Sequence, residues 1–144
     1  MSNRTFWKIT LIAALCLMLL AIWRHNWSGG SSTGAKPTVM EADGYAVEVV
    51  MEQAPAIILK PNPLKISIHR LDGQPVAGAE IDYELLMPNM FCGKVAGTAD
   101  PLSDRDGSYE GSAIPLMTGT WTANINIKLG GSILHVKHPF SATR

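Results

Sequence analysis

At 144 residues, the chain has room for one ordinary domain and an appendage. Its formal charge is balanced at 12 basic and 12 acidic residues, so no basic surface is available to draw nucleic acid, and no DNA- or RNA-binding motif appears. Charged residues make up 17% of the chain, below the roughly 25% of a typical soluble domain, and an apolar N-terminus accounts for part of that deficit.

Ile9 to Trp23 is nearly unbroken apolar sequence. As a helix it spans about 22 Å, and adding Phe6 to Lys8 brings it near 27 Å. Trp7, Trp23 and Trp27 are suited to the interfaces, with Lys8 and Arg24 reaching outward. A cleaved signal peptide is the competing reading. However, Ile22-Trp23-Arg24-His25 follows the run where a small-x-small cleavage site should stand, and the nearest small residues, Ser28 to Gly30, lie farther downstream. Leu15 before Cys16 also rules out a lipoprotein signal. The expectation is an uncleaved transmembrane anchor over residues 9–27 after a short cytoplasmic segment, 1–8.

Ser28-Gly-Gly-Ser-Ser-Thr-Gly-Ala-Lys-Pro37 has no apolar periodicity and reads as a tether. The flexible linker is expected to run over 28–44, with a single domain over 45–144. Within that domain the period is two. Tyr45, Val47, Val49 and Met51 alternate with Glu48 and Glu52, and Leu64, Ile66 and Ile68 alternate with Lys65, Ser67 and His69. Pro55, Pro61 and Pro63 allow only short extended pieces between these two strands.

Asp72-Gly73 turns the chain into a third strand, with Ala79, Ile81, Tyr83, Leu85 and Met87 on one face. Pro88 ends it, because proline cannot donate to a ladder. A weaker strand covers Lys94 to Thr98, another Ser108 to Ala113, and a strong one carries Trp121, Ala123, Ile125 and Ile127. Gly130-Gly131 is a hairpin turn into Ile133 to Phe140. Seven or so short strands in about 100 residues predict an all-β fold, an immunoglobulin-like antiparallel β-sandwich preceded by one N-terminal transmembrane helix.

One cluster carries chemistry. Met87, Met90 and Cys92 fall within six residues, and Met117 follows in a later connection. Thioethers and thiolate suit Cu(I) better than any hard cation. A turn at Pro88-Asn89 would bring Met87 and Met90 together. The bland reading is that these methionines fill an irregular gap at the end of a sandwich, and Met87 is in phase with the buried face of its strand. Cys92 is a lone thiol, since Cys16 in the apolar run cannot come within the ~7 Å that a bridge requires.

His69 and His135 fall on polar strand faces, whereas His138 is in phase with Leu134, Val136 and Phe140, and none has ligand-like spacing. Either His135 or His138 could assist a copper site only if the final strand neighbours the Met87 loop. Asp100, Asp104 and Asp106 lack EF-hand spacing and belong to a turn. No nucleophile–base signature or phosphate loop is present, so no catalytic role is expected.

Asn62-Pro-Leu through Asp72-Gly73-Gln-Pro-Val-Ala-Gly-Ala79, then Met87-Pro88, Gly107-Ser-Tyr109 and Met117-Thr-Gly119-Thr-Trp121, resemble in this order the YtkA-like and FixH-like family of membrane-anchored extracytoplasmic domains. Residues around the anchor and early strands are closer to the YtkA-like branch. The family motif does not demand a cysteine at position 92. The resemblance implies a single-pass protein of the cytoplasmic membrane with its C-terminal domain outside, in the periplasm. It further implies an accessory role in copper handling or cytochrome oxidase assembly, with Cu(I) as ligand and a membrane protein partner such as an oxidase subunit or copper transporter. The alternative is a non-metal structural or interaction module that binds a membrane partner.

Overall fold

Residues 35–90 and 93–144 are described by a computed structural model, so the expected N-terminal segment, the anchor, the first part of the linker and Cys92 lie outside the described residues. Nine strands follow in chain order: β1 (Thr38–Ala42), β2 (Tyr45–Met51), β3 (Ala56–Ile57), β4 (Asn62–Arg70), β5 (Glu80–Leu86), β6 (Val95–Pro101), β7 (Ser108–Ala113), β8 (Gly119–Leu129) and β9 (Ser132–Thr143). Among the described residues there is no helix, and none therefore long and apolar enough to cross a membrane. The fold is all-β.

The strands form one continuous sheet, in the order β1-β2-β4-β7-β6-β5-β8-β9-β3. Every pairing is antiparallel except that of β3 with β9. The expected sandwich has two separate sheets, but β6 joins them. Val95 to Ala99 pair with β5, and Ala99 to Pro101 pair with Gly111 to Tyr109 of β7. The sheet folds over on itself so that Thr38 Oγ1 on β1 lies 2.9 Å from His138 Nδ1 on β9.

Alternation explains what lies inside. Val47, Val49 and Met51 of β2, Leu64, Ile66 and Ile68 of β4, and Ile81, Tyr83 and Leu85 of β5 are all buried, while their neighbours reach the surface to varying degrees. Trp121, Ala123, Ile125 and Ile127 of β8 and Leu134, Val136, His138 and Phe140 of β9 are buried in the same core, with β8 beside β5 in the sheet. Burying a Leu, Ile, Val or Phe side chain stabilises by about 1.5–3 kcal/mol, and the strand period of two sends every second side chain to the same interior.

Tyr83 shapes the middle of the sheet. Its ring lies over Gly97 of β6 and Gly111 of β7, where an added Cβ would collide with the tyrosine, at 2.6 Å in the case of Gly111. Tyr83 Oη donates to the Ser112 carbonyl at 2.8 Å. Burial pushes its hydroxyl pKa up.

Two boundaries differ from expectation. Thr38–Ala42, assigned by sequence to the linker, is an edge strand paired with β2 from Thr38↔Val49 to Ala42↔Tyr45. None of its side chains is fully buried, so it lacks the pattern that marks a core strand. The overlooked signal is Asp43-Gly44, a two-residue hairpin turn with both φ values positive, at 52° and 83°. The last strand also continues past Phe140 to Thr143.

Strand directions sort the connections into two ends. Asp43-Gly44, the segment 71–79, the segment 102–107 and Gly130-Gly131 share one end. The start of β1, the connections 52–61, 87–94 and 114–118, and the end of β9 share the other.

Candidate metal centre

The Met87 segment leaves β5 as a β-turn. Met90 N–H donates to the Met87 carbonyl at 3.2 Å, closing Met87-Pro88-Asn89-Met90. Pro88 suits the second position of such a turn because its φ is already fixed near the required value. The turn expected at Pro88-Asn89 is present and brings the Met87 and Met90 backbones together. Leu86, Met87, Pro88, Met90, Gly93 and Lys94 line one surface depression of about 370 Å³.

The three candidate methionines differ in environment. Met87 is half-buried, and Gly119 gives it room, since a Cβ there would stand 2.8 Å from Met87 Cε. Met90 is exposed, at 46%. Met117 is half-buried in the 114–118 connection, and its carbonyl accepts a 2.8 Å hydrogen bond from Trp121 Nε1. Gly119 lies two residues beyond Met117, so contact with this glycine sets Met87 beside the connection that carries Met117. Cys92 belongs to the same loop as Met90 but lies outside the described residues.

Of the candidate ligands, Met87 and Met90 line the depression, and their thioethers are donors of the kind that suits a soft monovalent ion. Thioethers bind without losing a proton and tolerate low coordination numbers, and the depression has an exposed rim for an ion to enter. Among the described residues, no group of three or more His, Cys, Asp or Glu side chains is placed to hold a metal.

The histidines do not join this group. The strand β8 separates β9 from β5. His135 is exposed, with Nδ1 2.7 Å from Asn126 Oδ1. His138 is fully buried, level with Ala123, with Nδ1 on Thr38 and Nε2 without a partner. Burial lowers its pKa below the ordinary 6.5.

Sequence reasoning missed Asn62, a fully buried polar side chain at the same end of the fold. Its Oδ1 accepts from Ile57 N at 2.7 Å, and its Nδ2 faces the carbonyls of Lys60, Ile57 and Ala113 at 2.8, 2.9 and 3.1 Å. One side chain therefore ties the 57–61 loop to the end of β7. An Asn placed between prolines reads as turn chemistry, and only the buried Leu64 phase hints that position 62 points inward.

No curated protein matches the chain. Among the solved structures similar in fold are two of one protein. One is a copper-bound variant of FetP from uropathogenic Escherichia coli strain F11, at 18% identity and a TM-score of 0.54, covering 74% of this chain and 93% of that one. The other is "as isolated" FetP of the same strain, recombinantly expressed in the E. coli periplasm, at 16% identity and a TM-score of 0.51, covering 74% and 94%. At these identities the likeness speaks for the fold alone. The family comparison is more specific: the YtkA-like family matches residues 39–126, from β1 through most of β8, and the chain belongs to the YtkA-like family.

Proposed function

We propose that this protein is a non-catalytic accessory factor that handles Cu(I) outside the cytoplasmic membrane, anchored by its N-terminal apolar segment, with Met87, Met90 and Met117 as soft ligands and Cys92 as a fourth. The observation that carries this reading is the turn at Met87-Pro88-Asn89-Met90, with both thioethers lining one open depression beside the connection that holds Met117. The copper-bound FetP structure, similar in fold, supports it. Delivery to an oxidase subunit or exchange with a copper transporter is the role we assign to such a site.

A second reading has its own support. Met87 continues the inward phase of Ile81, Tyr83 and Leu85 and packs over Gly119, as a core methionine would. On that reading the domain is a protein-interaction module. Anaerobic competition of the full chain in detergent against a Cu(I) chelator separates the two. Met87→Leu with Met90→Leu nearly keeps volume and apolarity, so the fold persists. The copper reading expects the double variant to lose Cu(I) while Zn(II) binds weakly to both forms. Equal Cu(I) affinity in the two proteins selects the interaction module.

A further inference from the structure

We propose that the end of the domain formed by the 57–61 and 114–118 connections docks on the surface of an anionic lipid bilayer, with Leu59 and Leu116 as its apolar contacts. Its setting rests on the membrane-anchored reading above.

Leu59 is 67% exposed and Leu116 47% exposed. They are held as a pair, because Leu59 N–H donates to the Pro115 carbonyl at 2.8 Å. Leu59 also adopts a left-handed backbone, with φ of 57°. That region is rarely occupied by a bulky residue, and Asn or Gly would take it at less cost. A solvent-exposed leucine in a conformation that disfavours leucine contributes nothing to the core, so another role must account for it. The buried Asn62 network makes this loop rigid, so the apolar tip is presented rather than collapsed.

Charge selects the occupant. Lys36, Lys60 and Lys94 are exposed in the segments of this end, with Lys94 also paired to Glu84, while Glu52 is paired to Lys65. The opposite end carries Asp43, Asp72, Asp104 and Asp106, against Arg70 and Arg105. Exposed apolar tips flanked by lysines are the combination that binds anionic lipid headgroups, through burial in the interfacial zone and attraction to surface charge. The chain itself points the same way. Ala35 N–H bonds to the Met51 carbonyl, so the described chain enters the domain at this end.

The test uses the full chain with Cys16→Ser and Cys92→Ser, and a nitroxide on Thr118→Cys at this end or on Ser103→Cys at the opposite end. It is reconstituted in nanodiscs of phosphatidylcholine with about a third phosphatidylglycerol, and of phosphatidylcholine alone. Docking is supported if the Thr118→Cys label loses accessibility to a polar nickel relaxant at least roughly threefold relative to the Ser103→Cys label. The protection should shrink in neutral lipid, with Lys36→Gln and Lys60→Gln, and with Leu59→Ser and Leu116→Ser. Reconstitution with both labels equally accessible overturns docking and leaves the tips to a membrane protein. A chain that co-purifies with neither type of nanodisc overturns docking and the anchor together.

Discussion

Trp121 Nε1 donates a 2.8 Å hydrogen bond to the carbonyl of Met117, joining the largest fully buried side chain to the backbone of a candidate copper ligand. The indole satisfies its only donor four residues back, so the β7–β8 connection is pinned from inside the core. Trp121→Ala is expected to cost roughly 3–5 kcal/mol in denaturant unfolding, the usual range for a buried large aromatic. Trp121→Phe keeps most of the packing but frees Met117. Its stability loss should be much smaller than that of the alanine variant, while Cu(I) affinity falls. A phenylalanine variant with unchanged copper affinity would separate the pinning from the site.

Asn62 gives a second prediction. With a carbonyl oxygen accepting from one amide and an NH₂ group facing three carbonyls, it satisfies a loop that would otherwise bury unpaired backbone groups. Asn62→Ala should cost roughly 2–3 kcal/mol, the penalty for leaving such groups without partners. Asn62→Asp should be worse, because a carboxylate would face carbonyl oxygens where the amide donated. Thermal unfolding of the two variants checks the order, and alanine less stable than aspartate would contradict it.

Much of the fold was legible because the core strands have one buried and one wetter face. Val47-Val49-Met51, Leu64-Ile66-Ile68 and Trp121-Ala123-Ile125-Ile127 declare their phase, and the structure buries those residues. The edge strand β1 carried no such signal, since pairing with β2 rather than burial holds it. The candidate site was readable as far as its turn, because Pro88-Asn89 is local chemistry. Contact of Met87 with Gly119 depends on a pairing between β5 and β8 some forty residues apart in sequence, which no local pattern encodes. The left-handed Leu59 was hidden for the opposite reason: leucine is the wrong residue for that conformation.

Tyr83 and the glycines beneath its ring make a third prediction. Gly111→Ala places a methyl group 2.6 Å from Tyr83 Cε1, and the ring cannot retreat without giving up its bond to Ser112. Overpacking of this kind costs about 1–3 kcal/mol. Tyr83→Phe alone should cost about 0.5–1.5 kcal/mol, the net worth of a hydrogen bond. In Tyr83→Leu, Gly111→Ala should lose most of its effect, since the ring that it strikes is absent. A double-mutant cycle reads this coupling directly, and additive effects would show that the glycine serves the backbone instead.

His138 makes stability depend on pH. It is fully buried, Nδ1 is engaged by the Thr38 hydroxyl, and Nε2 has no partner in the interior. An imidazolium must donate from both nitrogens, so the second N–H would stay unsatisfied beside a buried charge. Burial alone lowers the folded pKa below 6.5, with no charged group contributing. Between the lowered folded value and the ordinary unfolded value, the unfolded chain binds more protons than the folded one. The contribution of His138 is therefore fully present above about pH 6.5 and is lost as pH falls through the folded value, at no more than about 1.4 kcal/mol per pH unit for one proton. Carboxylates also begin to titrate in the lower part of this range, so the informative quantity is the difference between wild type and His138→Gln. Denaturant midpoints at about pH 7.5 and pH 5.5 should fall more in wild type than in the variant, whatever the variant costs at neutral pH. Parallel pH profiles would mean that the imidazole finds a proton acceptor when charged, and Thr38 would then hold β1 to β9 in both protonation states.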